Sequence, residues 1–169
     1  MGLDMHVRKI NSWEKKDLQK MMIDVLRTAC EKTLKVNNAD SFDPNSFDIE
    51  QWFLENPTTT IPYSVGEEIC YWRKHSDLHG WMRDLFYEKG GTSEYGFNHD
   101  CVILTKDDIL RLKLDLIERK LAPTSGFFFG QSYATEEDIE YRMNDDMEKI
   151  DLMLQAIEDK ATIYYTSSW

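Results

Sequence analysis

One segment of the sequence concentrates side chains able to bind a charged ligand: residues 71–81, Tyr-Trp-Arg-Lys-His-Ser-Asp-Leu-His-Gly-Trp. If the segment is helical, Lys74 falls in line with apolar residues, where its ammonium must reach solvent, pair with an acid or meet an anionic ligand. Aromatic rings beside cationic groups can hold a planar anion such as a nucleotide. We therefore expect Arg73 and Lys74 to neutralise charge, His79 to donate a hydrogen bond and Trp81 to stack. The alternative is a set of aromatic core positions flanked by ordinary surface charges.

A second such segment is Pro-Thr-Ser-Gly-Phe-Phe-Phe-Gly at residues 123–130. On a strand, successive side chains point to opposite faces, so the three phenylalanines cannot all face one core. Either both faces are covered, or Phe128 points into a pocket and stacks on a ligand. Gly126 allows close backbone approach, and Ser125 adds a hydroxyl and an amide of the kind that receive phosphate. A buried middle strand explains the phenylalanines without any ligand.

Standard catalytic and cofactor signatures are absent: the sequence has no GxxxxGK[ST], GxGxxG, GxSxG or HExxH motif. His75 and His79 are four residues apart, a spacing that can hold a metal on one helix face. A third ligand would have to come from His99, Asp100 or Cys101. A structural or ligand-contacting histidine explains the pair better, so we expect no metal and no cofactor. No spacing pairs a nucleophile with a base.

Hydrophobic periodicity places these residues on a small number of elements. It predicts helices over 13–35, 47–55, 67–88, 106–121 and from Thr135 through Ile157, and strands over 2–8, 101–104, 127–129 and 163–165. Thr105 and Asp108 have the spacing of a capping box at the start of the fourth helix. Because helices dominate, the prediction is an α+β fold: a single domain spanning residues 1–169, with a small sheet that pairs the chain ends.

The charge distribution limits the partners. The chain has 169 residues with 31 acidic and 20 basic side chains, a net charge of -11 that disfavours a long nucleic acid as partner. Residues 131–160 carry ten acids and three bases, whereas residues 8–35 carry eight bases and four acids. The acidic helix at 136–159 is either a solvated face or a surface that covers a basic host protein.

The expected compartment is the cytoplasm. No apolar run is long enough to span a membrane, and the first four residues do not begin a signal peptide. The three cysteines form no close pair, which is typical of proteins in a reducing compartment.

Four sequence blocks carry a resemblance that runs from one end of the chain to the other. They are Gly-Leu-Asp-Met at residues 2–5, Tyr-Trp-Arg-Lys at 71–74 with the following His79 and Trp81, Ser-Gly-Phe-Phe-Phe-Gly at 125–130, and Ser-Ser-Trp at 167–169. In these blocks the chain resembles a family of small bacteriophage-encoded proteins of uncharacterised function. The resemblance implies a phage accessory protein acting in the cytoplasm of the infected bacterium. It implies no reaction.

Because the predicted sheet joins the chain ends, the four blocks could converge on one pocket, to which Asp4 and Trp169 would also contribute. The leading hypothesis is a counter-defence protein that binds a small phosphorylated or nucleotide-like ligand without turnover. The first alternative is an acidic interaction protein that blocks a host protein through the helix at 136–159. The second is an enzyme acting on a nucleotide, with His79 as acid or base, oriented by Asp4 or Asp77. An oligomer is compatible with each of the three.

Overall fold

The fold has the helix-dominated α+β architecture expected from the sequence, with 50% helix and one antiparallel sheet. A computed structural model describes residues 2–37, 46–62, 65–127, 132 and 136–169, with the backbone alone described for 25–37. Within these ranges there are five helices: α1 (Ser12–Asn37), α2 (Ile49–Glu55), α3 (Ser76–Glu88), α4 (Lys106–Ile117) and α5 (Glu136–Glu158). The four strands are β1 (Asp4–Ile10), β2 (Glu67–Arg73), β3 (Cys101–Leu104) and β4 (Thr162–Ser168).

The sheet has the order β2-β1-β4-β3, and its two central strands come from the two ends of the chain. Asp4 pairs with Ser168 and Ile10 pairs with Thr162, so β1 and β4 run antiparallel over their full length. This confirms the prediction that the sheet pairs the chain ends. Any residue at the start of β1 is therefore close to the end of β4.

Both faces of the sheet are covered, because side chains alternate between them. On one face Met5, Trp72 and Tyr165 join a core formed with α3, α4 and α5. On the other, Ile10 and Tyr164 pack with residues of α1 and α2. Among the described helices none is both long and apolar enough to cross a membrane.

The helix predicted over residues 67–88 is wrong in its first half. Residues 67–73 form β2, whose Cys70 and Trp72 are buried while Tyr71 and Arg73 are exposed. This period-two alternation, together with pairing against β1, outweighs the local helical pattern. The chain then turns at Lys74, which has a positive φ of 55°, before α3 begins. The proposed alignment of Lys74 with apolar residues on one helix therefore does not exist.

Helix α4 begins as its sequence predicts. The Thr105 hydroxyl accepts a hydrogen bond from the Asp108 amide, and the Asp108 carboxylate accepts one from the Thr105 amide, completing the capping box. Lys89 reinforces this end by donating to the Asp108 carboxylate at 2.5 Å. Periodicity over residues 106–121 predicts that Ile109, Leu112, Leu116 and Ile117 all face inward. The first three are buried, but Ile117 is 54% exposed, so its prediction was wrong.

A matched pair of substitutions tests which side of α4 is buried and which is exposed. Leu112 is 1% exposed and Leu110 is 45% exposed, so only Leu112→Ala opens a cavity. We expect Leu112→Ala to lower the free energy of unfolding by about 2–5 kcal/mol and Leu110→Ala to lower it by less than about 1 kcal/mol. Urea unfolding of both variants at high dilution measures the difference. Equal losses would show that the helix is rotated from the described orientation.

Candidate functional site

A buried carboxyl group, that of Asp146, connects three elements of the fold. Asp146 lies on α5 and is 2% exposed. Its Oδ1 accepts a hydrogen bond from the indole Nε1 of Trp72 at 2.7 Å, and its Oδ2 is 2.9 Å from Nε2 of His75. One side chain thereby ties α5 to the end of β2 and to the start of α3.

His75 is the N-cap residue of α3. Its Nδ1 accepts from the Leu78 amide at 3.4 Å, which leaves Nε2 to carry the proton that it donates to Asp146. Both ring nitrogens are thus bonded to protein groups. The imidazole joins a helix end to a buried carboxyl group, and neither nitrogen is directed at a reacting molecule.

Asp77, in the first turn of α3, positions the segment that follows α4. Its Oδ1 accepts from the Thr124 amide at 2.7 Å, and its Oδ2 accepts from the Ser132 hydroxyl. Gly80 allows Thr124 to lie against the helix, because a Cβ at position 80 would be only 2.1 Å from the Thr124 hydroxyl oxygen. The two ends of the segment 124–132 are therefore fixed to α3.

Between these groups lies a cavity of about 130 Å³ formed by the start of α3, the end of α4 and α5. Its walls contain apolar and charged side chains: Leu116, Leu121, Ile139 and Met143, with His75, Asp77, Arg119, Arg142 and Asp146. We call it the arginine cavity. A cavity of roughly 150 Å³ accepts a benzene ring, so this one has room for about one ring or one phosphate group.

The two acids and the two arginines of the arginine cavity have different kinds of partner. Asp77 and Asp146 each accept two hydrogen bonds from protein donors. Arg119 pairs with Glu136 at 2.7 Å, but both side chains are more than half exposed, and such pairs contribute little to stability. Arg142 donates to the Arg73 carbonyl over a long 3.4 Å. The exposed ion pair of Arg119 is a contact that an entering anion can displace at low cost.

Some of the residues expected at the site do come together. Arg73 Nη1 is 2.9 Å from Oδ1 of Asp4, and the same oxygen accepts from Tyr71 at 2.5 Å, a bond that raises the pKa of the tyrosine. The side chain of Lys74 lies over Gly2, where an added Cβ would be 3.0 Å from its Cε. Trp169 follows β4 at this same end of the sheet, because Ser168 pairs with Asp4. These residues form an ion-paired surface whose link to the arginine cavity is the Arg73 carbonyl.

Trp169 contacts the protein through its backbone and its ring. Its amide donates to Oδ1 of Asn98 at 3.0 Å, and its carbonyl accepts from Nδ2 of the same side chain at 3.1 Å. The indole lies beside Gly96 and packs on the core. Trp169 therefore fastens the end of β4 to the loop before β3 and does not line the arginine cavity.

The remaining expected residues lie elsewhere. Trp81 donates to the Asp115 carboxylate at 2.9 Å and has the Arg111 guanidinium 5.1 Å from its ring, so it joins α3 to α4. Ser125 is exposed and Gly126 half-buried; Phe127, expected to begin a strand, lies in a turn and is 95% exposed. Phe128 lies outside the described residues.

His79 belongs to the core. It is fully buried, its Nδ1 is 2.9 Å from the Tyr165 hydroxyl and its ring centroid is 5.5 Å from that of Phe97. Burial, with a smaller effect of the nearby Arg83 cation, lowers the pKa of His79 from 6.5 to about 4.

His75 and His79 do not form a pair of metal ligands on one helix face, because His75 precedes α3 and is bonded to Asp146. The part of the chain that the structure describes holds no group of three potential metal ligands.

The sequence pattern of α5 indicates two cavity residues, Arg142 and Asp146, that were not among the expected site residues. Ile139, Arg142, Met143 and Asp146 follow one another at steps of three, one and three, so a cation and an acid fall on the inward side of α5. Charged residues at such positions must be paired or must face a cavity. Arg119, after the end of α4, has no comparable signal.

Comparisons with known proteins returned nothing: no family model, no curated protein and no solved structure matches this chain. The resemblance to phage-encoded proteins therefore stays a prediction. The function has to be argued from the geometry of the site.

Removing the Asp146 carboxyl group should destabilise the protein strongly. Asp146→Ala leaves the Trp72 indole N–H and the His75 imidazole N–H buried without their acceptor, at about 1–3 kcal/mol for each donor. The matched control is Asp151→Ala on the same helix, whose 70%-exposed carboxylate pairs with Lys113 and should contribute less than about 1 kcal/mol. Urea unfolding of the two variants measures the losses. A loss for Asp146→Ala as small as the control's would show that Asp146 does not hold the three elements together.

The buried imidazole of His79 should make stability depend on pH. Because its folded-state pKa of about 4 is below the ordinary 6.5, the unfolded chain binds the proton more readily, and stability falls as pH drops from above 6.5 towards 4. The full effect is about 3 kcal/mol. We expect His79→Gln, which can still bond to Tyr165, to lose less stability between pH 7 and pH ~4.5 than the wild type does. Identical losses in urea unfolding at the two pH values would contradict this assignment.

Proposed function

We propose that this protein binds a small anionic molecule with a compact apolar part in the arginine cavity. The observation that carries the proposal is the presence of two arginine side chains, Arg119 and Arg142, in the wall of a small cavity that also contains four apolar side chains. Arginine binds carboxylate and phosphate oxygens through paired N–H donors, and apolar walls favour a ring or short chain.

The surrounding charges support an anion rather than a cation. The acidic groups of the cavity, Asp77 and Asp146, already accept hydrogen bonds from N–H and O–H donors of the protein, whereas the guanidinium of Arg119 is engaged in an exposed ion pair with Glu136. Arg73 touches the cavity only through its carbonyl, which accepts a hydrogen bond from Arg142, and its guanidinium is paired with Asp4.

The volume of the arginine cavity limits the size of the ligand that can enter it. About 130 Å³ admits one six-membered ring or one phosphate group, and not a whole nucleotide. A nucleotide-like ligand would place one moiety inside and leave the rest at the mouth. A compact aryl phosphate or an aromatic carboxylate would also place one group inside and the other at the mouth, but less of it would remain outside than of a nucleotide.

We propose binding without turnover. His75, the one imidazole of the cavity, has both ring nitrogens bonded to protein groups. His79, expected to act as acid or base in the enzymatic alternative, lies in the core beside Tyr165. Both observations favour a binding role over general acid–base catalysis, which requires a ring nitrogen within reach of the substrate.

The resemblance to phage-encoded proteins supports the wider proposal of a counter-defence role in the cytoplasm of the infected bacterium, with the ligand a host signal. The alternative, blocking a host protein through the acidic last helix, has less support. Several acids of α5 are engaged by cations of the same chain, in the pairs Glu136–Arg119, Asp145–Lys149 and Asp151–Lys113. That pairing reduces the negative potential which such a surface would need.

Calorimetric titration with phenyl phosphate tests the proposed function, because this probe joins one ring to one phosphate. We expect Arg142→Ala and Arg119→Ala each to weaken binding by about 1.5–3 kcal/mol, roughly ten- to a hundredfold in Kd. Phenol, which lacks the anionic group, should bind at least about tenfold more weakly than phenyl phosphate.

The matched control is Arg111→Ala on α4, because Arg111 pairs with Glu88 through its two terminal guanidinium nitrogens and does not line the cavity. Its affinity for phenyl phosphate should equal that of the wild type. Inorganic phosphate and AMP, titrated in parallel, show whether the ring or the phosphate contributes more. Absence of binding by every anionic probe, or equal weakening by Arg111→Ala and Arg142→Ala, would contradict the proposal.

A further inference from the structure

The arginine cavity has negative as well as positive charge in its wall. Asp77 and Asp146 line the same space of about 130 Å³ as Arg119 and Arg142. How many charges a bound anion can carry depends on the total charge of this wall, and hence on the protonation states of the two acids and of His75.

The hydrogen bonds of Asp146 are those of an ionised carboxylate. Its Oδ1 accepts from the Trp72 indole N–H, a group that can only donate. Its Oδ2 is 2.9 Å from Nε2 of His75, and this nitrogen carries the proton because Nδ1 of the same ring accepts from the Leu78 amide. Both carboxylate oxygens therefore face donors, and the imidazole of His75 is neutral.

Asp77 is engaged in the same way. Its Oδ1 accepts from the Thr124 amide at 2.7 Å, and its Oδ2 accepts from the Ser132 hydroxyl. The charged groups of the wall are thus two carboxylates and two guanidinium groups, and their charges sum to zero.

The charged groups beside the wall do not change this balance in favour of positive charge. Glu137 and Asp138 lie with Glu136 in the first turn of α5, where their charges offset the partial positive charge of the helix end. The Lys74 side chain lies over Gly2. Three cations in or beside the wall have an acidic partner in the same chain, in the pairs Glu136–Arg119, Asp4–Arg73 and Glu118–Lys120.

We infer that the arginine cavity selects singly charged oxyanions, such as a phosphodiester, a sulfate ester or a carboxylate, over a doubly charged terminal phosphate; this inference rests on the proposed function. The first negative charge of a ligand is compensated by the N–H donors of Arg119 and Arg142. A second charge brings no further donor with it and is repelled by the carboxylates of Asp77 and Asp146. It also raises the cost of removing the ligand from water, because that cost rises with the square of the charge.

Calorimetric titration with phenyl sulfate and phenyl phosphate at pH ~8 tests the inference. The two probes share a ring and a tetrahedral oxyanion, but a phosphate monoester carries about two charges at this pH and a sulfate ester carries one. We expect phenyl sulfate to bind the wild type at least about threefold more tightly than phenyl phosphate does. Methyl phenyl phosphate and benzoate, which also carry a single charge, should bind more tightly than phenyl phosphate too. Their relative affinities show whether a phosphodiester or a carboxylate is preferred.

Asp77→Asn tests whether the acids of the wall cause the preference. The new amide can still accept from the Thr124 amide and donate to the Ser132 hydroxyl, but one negative charge is removed. The ratio of the two dissociation constants should shift towards phenyl phosphate by about threefold or more. The matched control is Asp84→Asn on the same helix, since the Asp84 side chain is 65% exposed and does not line the cavity. It should leave the ratio unchanged.

Melting curves show whether each variant remains folded, and the preference of the wild type decides the case if Asp77→Asn does not fold. Phenyl phosphate that binds the wild type as tightly as phenyl sulfate, or more tightly, would overturn the inference and leave the proposed function standing. Equal shifts of the ratio in Asp77→Asn and Asp84→Asn would overturn it as well. If no anionic probe binds, the proposed function and the inference fail together.

Discussion

The hydrogen bonds of the buried Asp146 carboxyl group are the interaction on which the arrangement of the site depends. A carboxyl group is expensive to bury unless its oxygens are satisfied, and here the Trp72 indole and the His75 imidazole do so. The two donors lie on either side of the turn at Lys74, one ending β2 and the other capping α3. The direction in which α3 leaves the sheet is therefore coupled to the position of α5.

The arginine cavity follows from that coupling. Its walls are the first turn of α3, the end of α4 and the inward side of α5, and Asp77 fixes the segment after α4 to the first of these. The acids of the cavity are engaged by structural hydrogen bonds, while Arg119 is engaged in an exposed ion pair. In our proposal, Asp77 and Asp146 stabilise the fold, and Arg119 and Arg142 bind the anion. This is how an acidic protein can have a local site for an anion.

Sequence reasoning succeeded where local chemistry is decisive. The capping box of Thr105 and Asp108 fixes the start of α4, and an isolated apolar run fixes β3. It failed over residues 67–75, the first part of the helix predicted for 67–88, because strand pairing with β1 is a long-range interaction that a helical apolar pattern conceals. The error moved Trp72 and Lys74 onto the wrong element, so the site built from them could not be right in detail.

Part of the candidate site could be predicted from the sequence. Arg73 and Asp4 do come together, because the ends of β1 and β2 are paired, and Arg73 contacts the arginine cavity through its carbonyl. His79 and Trp81 have core and packing roles that side-chain type alone cannot distinguish from ligand binding. Arg142 and Asp146, by contrast, could have been found as charged residues on the inward side of an amphipathic helix.

The central claim is that Arg119 and Arg142 jointly hold the anionic group of a bound ligand. The most direct measurement is a crystal structure of the protein grown with phenyl phosphate. The account predicts the phosphate between the two guanidinium groups and the ring against Leu116 and Met143. An arginine cavity without ligand, in crystals that hold phenyl phosphate elsewhere on the chain, would contradict it.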